Sequence, residues 1–123
     1  MPSVGDTFLS PTPQFDTKHL YIIIAEETSS DKLLVVNVTS PKDNCDTTCV
    51  LLKGEHPFIK YPSIINYADA IEMDRPKVAE ALSNKNAQLI LPHKPVSGEL
   101  LERIRTGALT SPAFPPKYLK YLP

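Results

Sequence analysis

The first half of the chain alternates short apolar runs with polar turns. The two strongest runs, at residues 20–25 (LYIIIA) and 33–38 (LLVVNV), are rich in Ile, Leu and Val and are shorter than typical helices. The polar segment 26–32 (EETSSDK) between them is typical of a turn, so the two runs predict a buried antiparallel hairpin. Further strands are predicted at 6–9, 48–52 and 64–71.

The second half of the chain has apolar residues at helical rather than strand spacing. This spacing predicts helices at about 75–84 and 97–107. Asp74 and Ser97 are the predicted N-caps, because their side-chain oxygens can accept from the free N–H groups of a first turn. Gly107 is expected to end the second helix.

Two shorter segments complete the predicted architecture. Segment 87–91 (AQLIL) predicts a short strand that Pro92 ends, and the tail 110–123 is expected to be ordered and to pack on the sheet. The apolar side chains expected to hold the tail are Phe114, Tyr118, Leu119 and Leu122. Strands followed by helices indicate the α+β class, here a small antiparallel barrel of about five to seven strands with two short helices. The barrel strands are expected mainly at 5–72.

The composition fits one domain that spans 1–123. The chain has 123 residues, of which 41% are hydrophobic and 22% charged, which is ordinary for a globular protein. It has 13 Pro and 4 Gly, which favours short, stiff connections over flexible linkers. None of the standard signatures for nucleotide binding, zinc hydrolysis or serine hydrolysis occurs.

The charge balance limits the partners that the chain can have. The formal net charge is −1, which excludes a broad basic surface for nucleic acid but is compatible with one local site for RNA. The longest apolar run is far too short to cross a bilayer. Residues 1–10 lack the basic and apolar regions of a secretion leader. We therefore expect a cytoplasmic protein with no membrane partner.

Two cysteines and a histidine have the chemistry of metal ligands. Cys45, Cys49 and His56 have the spacing C-x3-C-x6-H, which leaves a tetrahedral zinc site one ligand short. The alternative is that Cys49 begins a strand as a small buried apolar residue, while Cys45 is a free loop thiol in a reducing compartment. The incomplete ligand set favours this alternative, so we expect neither a metal nor a cofactor.

Polar side chains that can act on a phosphate lie at the ends of the predicted strands. Lys18 and His19 come just before the first buried strand, and Thr39 and Ser40 follow the second. In an antiparallel barrel these ends meet at one rim, where a base, a cation and hydroxyls act together on a phosphodiester. The same hydroxyls also suit turn caps, and the local sequence favours that simpler role.

His56 and two later residues extend this set. His56 precedes a proline in the segment GEHPFI, so its ring is expected to project from a turn, either as an acid or base or as a turn residue that binds backbone carbonyls. Ser63 and Tyr67 lie on the strand that follows. The candidate catalytic residues are therefore His19, Thr39, Ser40 and His56, and the candidate substrate-binding residues are Lys18, Ser63 and Tyr67.

Several of these features occur in a characteristic order. Gly5-Asp6 lies in a first strand, Lys18-His19 leads into an aliphatic strand, and a second aliphatic strand ends in Thr39-Ser40. The segments SIINYADAI at 63–71 and ELLERI at 99–104 follow. This order resembles the MazF/PemK-like toxin family over most of the chain.

The resemblance implies an SH3-like barrel and metal-independent cleavage of single-stranded RNA. In that family an Arg at the entry to the second strand and a hydroxyl after the third carry the activity. Thr39 matches the hydroxyl position, whereas Lys18-His19 stand where the Arg is expected, so His19 is expected to act as acid or base with His56 as its partner.

The same resemblance implies particular partners. It implies a homodimeric toxin of a toxin–antitoxin pair, with an antitoxin segment lying over the site. The alternative hypothesis is a non-catalytic SH3-like module that binds a partner protein or peptide, with exposed aromatic residues of the tail, Phe114, Tyr118 and Tyr121, as part of its surface.

Overall fold

The computed structural model describes residues 2–11, 18–84 and 90–122. Within these ranges the chain folds as a small α+β domain, as predicted. None of the described helices is both long and apolar enough to cross a membrane. The elements in chain order are β1 (Thr7–Pro11), β2 (Lys18–Glu27), β3 (Lys32–Thr39), β4 (Val50–Leu51), β5 (Ser63–Asp74), α1 (Arg75–Ser83), β6 (Leu91–His93), α2 (Gly98–Thr110) and a 3-10 helix (Pro116–Tyr121).

The strands form one antiparallel sheet in the order β4-β5-β3-β2-β1-β6. The predicted hairpin is confirmed, because β2 pairs with β3 in a register that sets Tyr21 opposite Asn37. The register shifts between Ile23 and Ala25 on β2, and again where β3 pairs with β5 between Val35 and Asn37. Such bulges bend and twist strands, and the sheet curls into a half-barrel.

Both faces of the central strands are buried, which explains why their apolar runs are continuous. Side chains of β2 and β3 alternate between two apolar clusters on opposite faces of the sheet. The larger cluster contains Leu20, Ile22, Ile24, Leu34, Val36 and Val38 and includes α2 and the tail. The smaller cluster contains Phe8, Ile23, Leu33, Val35 and Val78, the last of which comes from α1.

Helix α1 begins where the sequence predicts, although Asp74 does not cap it. No side-chain hydrogen bond caps the helix, and the Asp74 carboxylate instead pairs with Lys32 across the sheet and with Lys77 at 3.4 Å. The next residue, Arg75, is buried and donates to Asp31 at 2.8 Å and to the carboxylate of Glu26. Charge pairing across strands therefore fixes the start of α1.

Helix α2 has its predicted cap but not its predicted end. The Ser97 side chain accepts from the N–H of Leu100 at 3.1 Å, as expected of an N-cap. Gly107 does not stop the helix, which continues through Thr110. Instead Gly107 is buried against the Tyr67 ring, and a Cβ there would lie 3.1 Å from Tyr67 Cζ and closer still to the hydroxyl. A residue without a Cβ at this position lets α2 pack closely against the Tyr67 ring. The prediction that Gly107 ends α2 is therefore wrong.

The C-terminal tail packs on the sheet, as predicted. Phe114, Tyr121 and Leu122 are buried in the larger cluster and Tyr118 is half-buried, whereas Leu119 is 43% exposed, against expectation. The prediction that the tail offers exposed aromatic residues to a partner is therefore wrong for Phe114 and Tyr121, because both belong to the core.

The last strand differs from its prediction. Residues 85–89 lie outside the described part of the chain, and β6 begins at Leu91, where the predicted strand was to end. Pro92 lies inside β6 rather than terminating it. A proline is tolerated there because β6 is the edge strand next to β1 and one of its sides needs no ladder hydrogen bond.

Candidate functional site

Three strand ends meet at one rim of the half-barrel: the start of β2, the end of β3 and the start of β5. Thr39 pairs with Ile64 on β5, and the His19 ring is hydrogen-bonded to the carbonyl of Val38, the residue before Thr39. The side chains at these ends line an open cleft of about 550 Å³, which we call the rim cleft. Four predicted site residues line it: His19, Thr39, Ser40 and Ser63.

A loop between β4 and β5 forms the opposite wall of the rim cleft. Phe58, Ile59, Lys60 and Tyr61 of this loop line the cleft. Lys60 is exposed, and 61% of Tyr61 is accessible to solvent. Sequence reasoning missed both residues, although an exposed aromatic next to a lysine is a common pattern for binding single-stranded nucleic acid.

The His19 ring has a defined tautomer. Its Nδ1–H donates to the Val38 carbonyl at 3.2 Å, because a carbonyl can only accept. In the neutral ring the lone pair is therefore on Nε2, the nitrogen that is not bound to Val38. A half-buried imidazole that is held through Nδ1–H and has its lone pair on Nε2 is the arrangement of a general base.

The three hydroxyl side chains of the rim cleft differ in their exposure to solvent. Ser40 is exposed and Thr39 is half-buried. Ser63 is buried and donates to the Tyr61 carbonyl at 3.0 Å, so it fixes the position of the loop wall. Lys18 begins β2, but its side chain lies outside what the structure describes.

His56 does not line the rim cleft. It is 2% exposed, its Nδ1 accepts from the N–H of Phe58 at 3.0 Å, and its Nε2–H donates to the Lys94 carbonyl at 2.5 Å. Burial lowers the pKa of His56, and the nearby charges of His93 and Lys94 lower it further. Both nitrogens bind backbone groups, so the expectation that His56 acts beside His19 is not met by this geometry.

The bonds of His56 join two parts of the fold that are far apart in the sheet. The loop after β4 belongs to one edge of the sheet, and Lys94 follows β6 at the other edge. The His56 and His93 rings lie 4.9 Å apart, and Phe58 meets His93 edge-on at 6.2 Å. We call this group, His56, Phe58, His93 and Lys94, the His56 clasp. It brings the two edges of the curled sheet together.

Tyr67 is a core residue rather than a substrate ligand. It has no exposed surface, and its hydroxyl donates to the Ile104 carbonyl of α2 at 2.8 Å. Burial raises the pKa of Tyr67 well above its usual range. A substrate cannot reach this hydroxyl in the described structure, so the sequence-based assignment of Tyr67 is corrected.

The cysteines do not form a metal centre with their neighbours. Cys49 is buried just before β4, and Cys45 is half-buried in the preceding loop. Within the described ranges, no three His, Cys, Asp or Glu side chains are grouped so that they would hold a metal ion.

A second open cleft adjoins the rim cleft. Thr39 and Ser40 line both, and the second cleft, of about 560 Å³, extends past Lys42, Asn44 and Asn66. The two clefts together form a groove with Thr39 and Ser40 at its middle. Such a groove suits an extended chain better than a compact ligand.

No protein-family model, curated protein or solved structure matches the chain.

Proposed function

We propose that the rim cleft binds single-stranded RNA and cleaves it without a metal ion. The observation that carries the proposal is the grouping of His19, with its fixed tautomer, with Thr39, Ser40 and Lys60 in one open cleft. An imidazole base, hydroxyl donors and a cation are the groups that a phosphodiester transfer needs when no metal is used.

The reaction follows from the position of the lone pair on His19. His19 Nε2 takes the proton of an RNA 2′-hydroxyl, and the 2′-oxygen attacks the adjacent phosphorus. The bond from phosphorus to the 5′-oxygen breaks, and that oxygen takes a proton from water in the open cleft. Lys60 and the hydroxyls of Thr39 and Ser40 stabilise the charge on the phosphate oxygens. The products are a 2′,3′-cyclic phosphate and a 5′-hydroxyl end.

Binding of the strand is assigned to the loop wall and to the adjoining groove. Tyr61 is exposed at the rim and offers a face on which a base can stack. Lys60 next to it suits a phosphate. With a net charge of −1 for the whole chain, a local site of this kind is the form of RNA binding that the composition allows.

We also propose that the domain is an SH3-like barrel related to the MazF/PemK-like toxins. Support comes from the curled antiparallel half-barrel and from the position of Thr39, the counterpart of the family's hydroxyl, beside His19. On this proposal the partners are an antitoxin segment that covers the rim cleft and a second copy of the chain, and the location is the cytoplasm. Lys60 takes over the charge that the family's Arg would supply.

The proposed function is tested by incubating the wild-type chain with mixed-sequence single-stranded RNA in the presence of a chelator. We expect cleavage that leaves 2′,3′-cyclic phosphate ends and that is lost in Thr39→Ala while the fold is retained. A well-folded chain that cuts none of a range of RNA substrates would refute the proposed activity.

A second candidate function is binding of a peptide in the same cleft without catalysis. It is favoured by one observation: the second imidazole expected in the cleft, His56, is buried in the clasp instead. Phe58 and Tyr61 of the loop wall, which line the cleft, would then contact the peptide. If the chain binds RNA but does not cut it, this second function stands only if a peptide competes with the RNA for the rim cleft.

The role of Lys60 can be tested by binding alone. Lys60→Ala is expected to weaken binding of single-stranded RNA equally for different sequences. It should lower the slope of log affinity against log salt by about 0.7, the value for one phosphate contact on a single strand. Lys53→Ala is the matched control, because Lys53 is an exposed lysine of the same loop that does not line the rim cleft. Equal effects of the two variants would refute the assignment.

A further inference from the structure

We propose that His56 is a pH-operated switch for the rim cleft: gain of a proton on Nδ1 loosens the loop wall 58–61 and widens the cleft. The inference goes beyond the proposed function, because it concerns movement of the wall whatever ligand the cleft binds. It derives from the hydrogen bonds of the His56 clasp.

Both nitrogens of the His56 ring are hydrogen-bonded. Nδ1 accepts from the N–H of Phe58, whereas Nε2–H donates to the Lys94 carbonyl. Protonation adds a hydrogen to Nδ1, so that two donors face each other and the bond to Phe58 is lost. The bond to Lys94 remains, since Nε2–H is a donor in both forms. The switch therefore acts on the Phe58 side of the clasp alone.

The loop wall is held by different contacts from those that anchor the chain before His56. The chain before His56 is anchored to α2, because Arg103 binds both carboxylate oxygens of Glu55, at 2.6 and 2.8 Å. The wall beyond it is held by the Phe58 bond, by burial of Ile59, and by the Ser63 bond to the Tyr61 carbonyl. Two backbone bonds of Ile59, from its N–H to the His56 carbonyl at 2.9 Å and from the Gly54 N–H to its carbonyl at 3.5 Å, stay intact in both protonation states. Loss of the Phe58 bond removes a tie from the wall while the Glu55 anchor stays in place.

Charged groups face His56 from two parts of the chain. From the end of β6 and the residue after it these are His93 and Lys94, and Thr7 of β1 contributes a neutral hydroxyl that also donates to the Lys94 carbonyl, at 2.8 Å. From its own loop Lys53, Glu55 and Lys60 share the groove with it. Glu55 is already paired with Arg103 of α2. Burial, the largest cause, and the nearby charges of His93 and Lys94 lower the pKa of His56, whereas its hydrogen bond to the Lys94 carbonyl opposes this and raises it.

The proposal is tested by an NMR pH titration of the full chain from about pH 7.5 to about pH 5. We expect amide signals of residues 58–61 to shift with the same midpoint as the His56 ring, while those of α2 stay in place. Below that midpoint, amide exchange in 58–61, corrected for its intrinsic rate, should rise by up to about tenfold per pH unit, as expected for one linked proton.

Two variants sharpen the test. His56→Gln keeps an acceptor and a donor but does not titrate, so the pH response of 58–61 should disappear. His93→Gln is the matched control: it removes a neighbouring charge and should move the midpoint upward without abolishing the response. If His56→Gln does not fold, the wild-type titration alone decides.

Three results would overturn the proposal. In the first, the His56 ring titrates while the 58–61 amides do not move. In the second, the α2 amides change with the same midpoint because the whole domain unfolds. In the third, His56 stays neutral until the domain unfolds. None of these readouts uses RNA, so failure of the switch and failure of the proposed cleavage are separate outcomes.

Discussion

Replacing His19 by Asn is expected to lower the rate constant for RNA cleavage by about 10²–10⁴-fold, the range in which general acid–base groups contribute. The Asn side-chain amide can still donate to the Val38 carbonyl, so the strand end and the cleft keep their shape. It has no lone-pair nitrogen to accept the 2′-hydroxyl proton. The loss should therefore appear in kcat, with KM nearly unchanged.

Thr106→Ala is the control for this prediction. Thr106 is an exposed residue of α2 that belongs neither to the rim cleft nor to the His56 clasp, so its replacement should leave cleavage within a small factor of the wild-type rate. Wild-type kcat in His19→Asn, or an equal loss in both variants, would exclude His19 as the base.

Gly107→Ala is expected to destabilise the fold by about 2–3 kcal/mol, at the upper end of what overpacking a core costs. The added Cβ would lie 3.1 Å from Tyr67 Cζ and would overlap the Tyr67 hydroxyl, which is bound to α2 at Ile104. Either α2 moves off the sheet or Tyr67 leaves its position, and both changes disturb the larger cluster. Thermal unfolding should show a melting temperature lower by roughly 10 °C.

Gly98→Ala is the control from the same helix. A Cβ at Gly98 meets no atom of the described residues within 4 Å, so this change should leave stability within about 0.5 kcal/mol of wild type. In a Tyr67→Phe background the cost of Gly107→Ala should fall, because the overlapping hydroxyl is gone. Equal stability of the two glycine variants would contradict the close approach of α2 to Tyr67.

The parts of the fold that depend on local pattern were predictable. The central hairpin follows from two apolar runs and a polar turn, and α2 from apolar spacing with Ser97 as its cap. The meeting of His19, Thr39 and Ser63 also follows, since antiparallel pairing brings those strand ends to one rim.

The features that local sequence does not predict depend on contacts between distant parts of the chain. Gly107 looks like a helix stop until α2 is packed against Tyr67, forty residues earlier in the sequence. His56 looks like an exposed turn residue until the sheet curls and brings Lys94 to it. Lys60 and Tyr61 lie at the rim because the clasp holds their loop there. Local sequence carries no signal of that curvature.

The most direct test of the account is to locate where single-stranded RNA binds. A short 2′-O-methylated RNA lacks the 2′-hydroxyl that the reaction needs, so it should bind without being cut, and its effect on the amide spectrum can be mapped. We predict that the largest shifts fall on the residues of the rim cleft, at 19, 38–40, 58–61 and 63. Absence of shifts at high RNA concentration, or shifts centred on α1 or on the tail, would contradict the assignment of the rim cleft as the functional site.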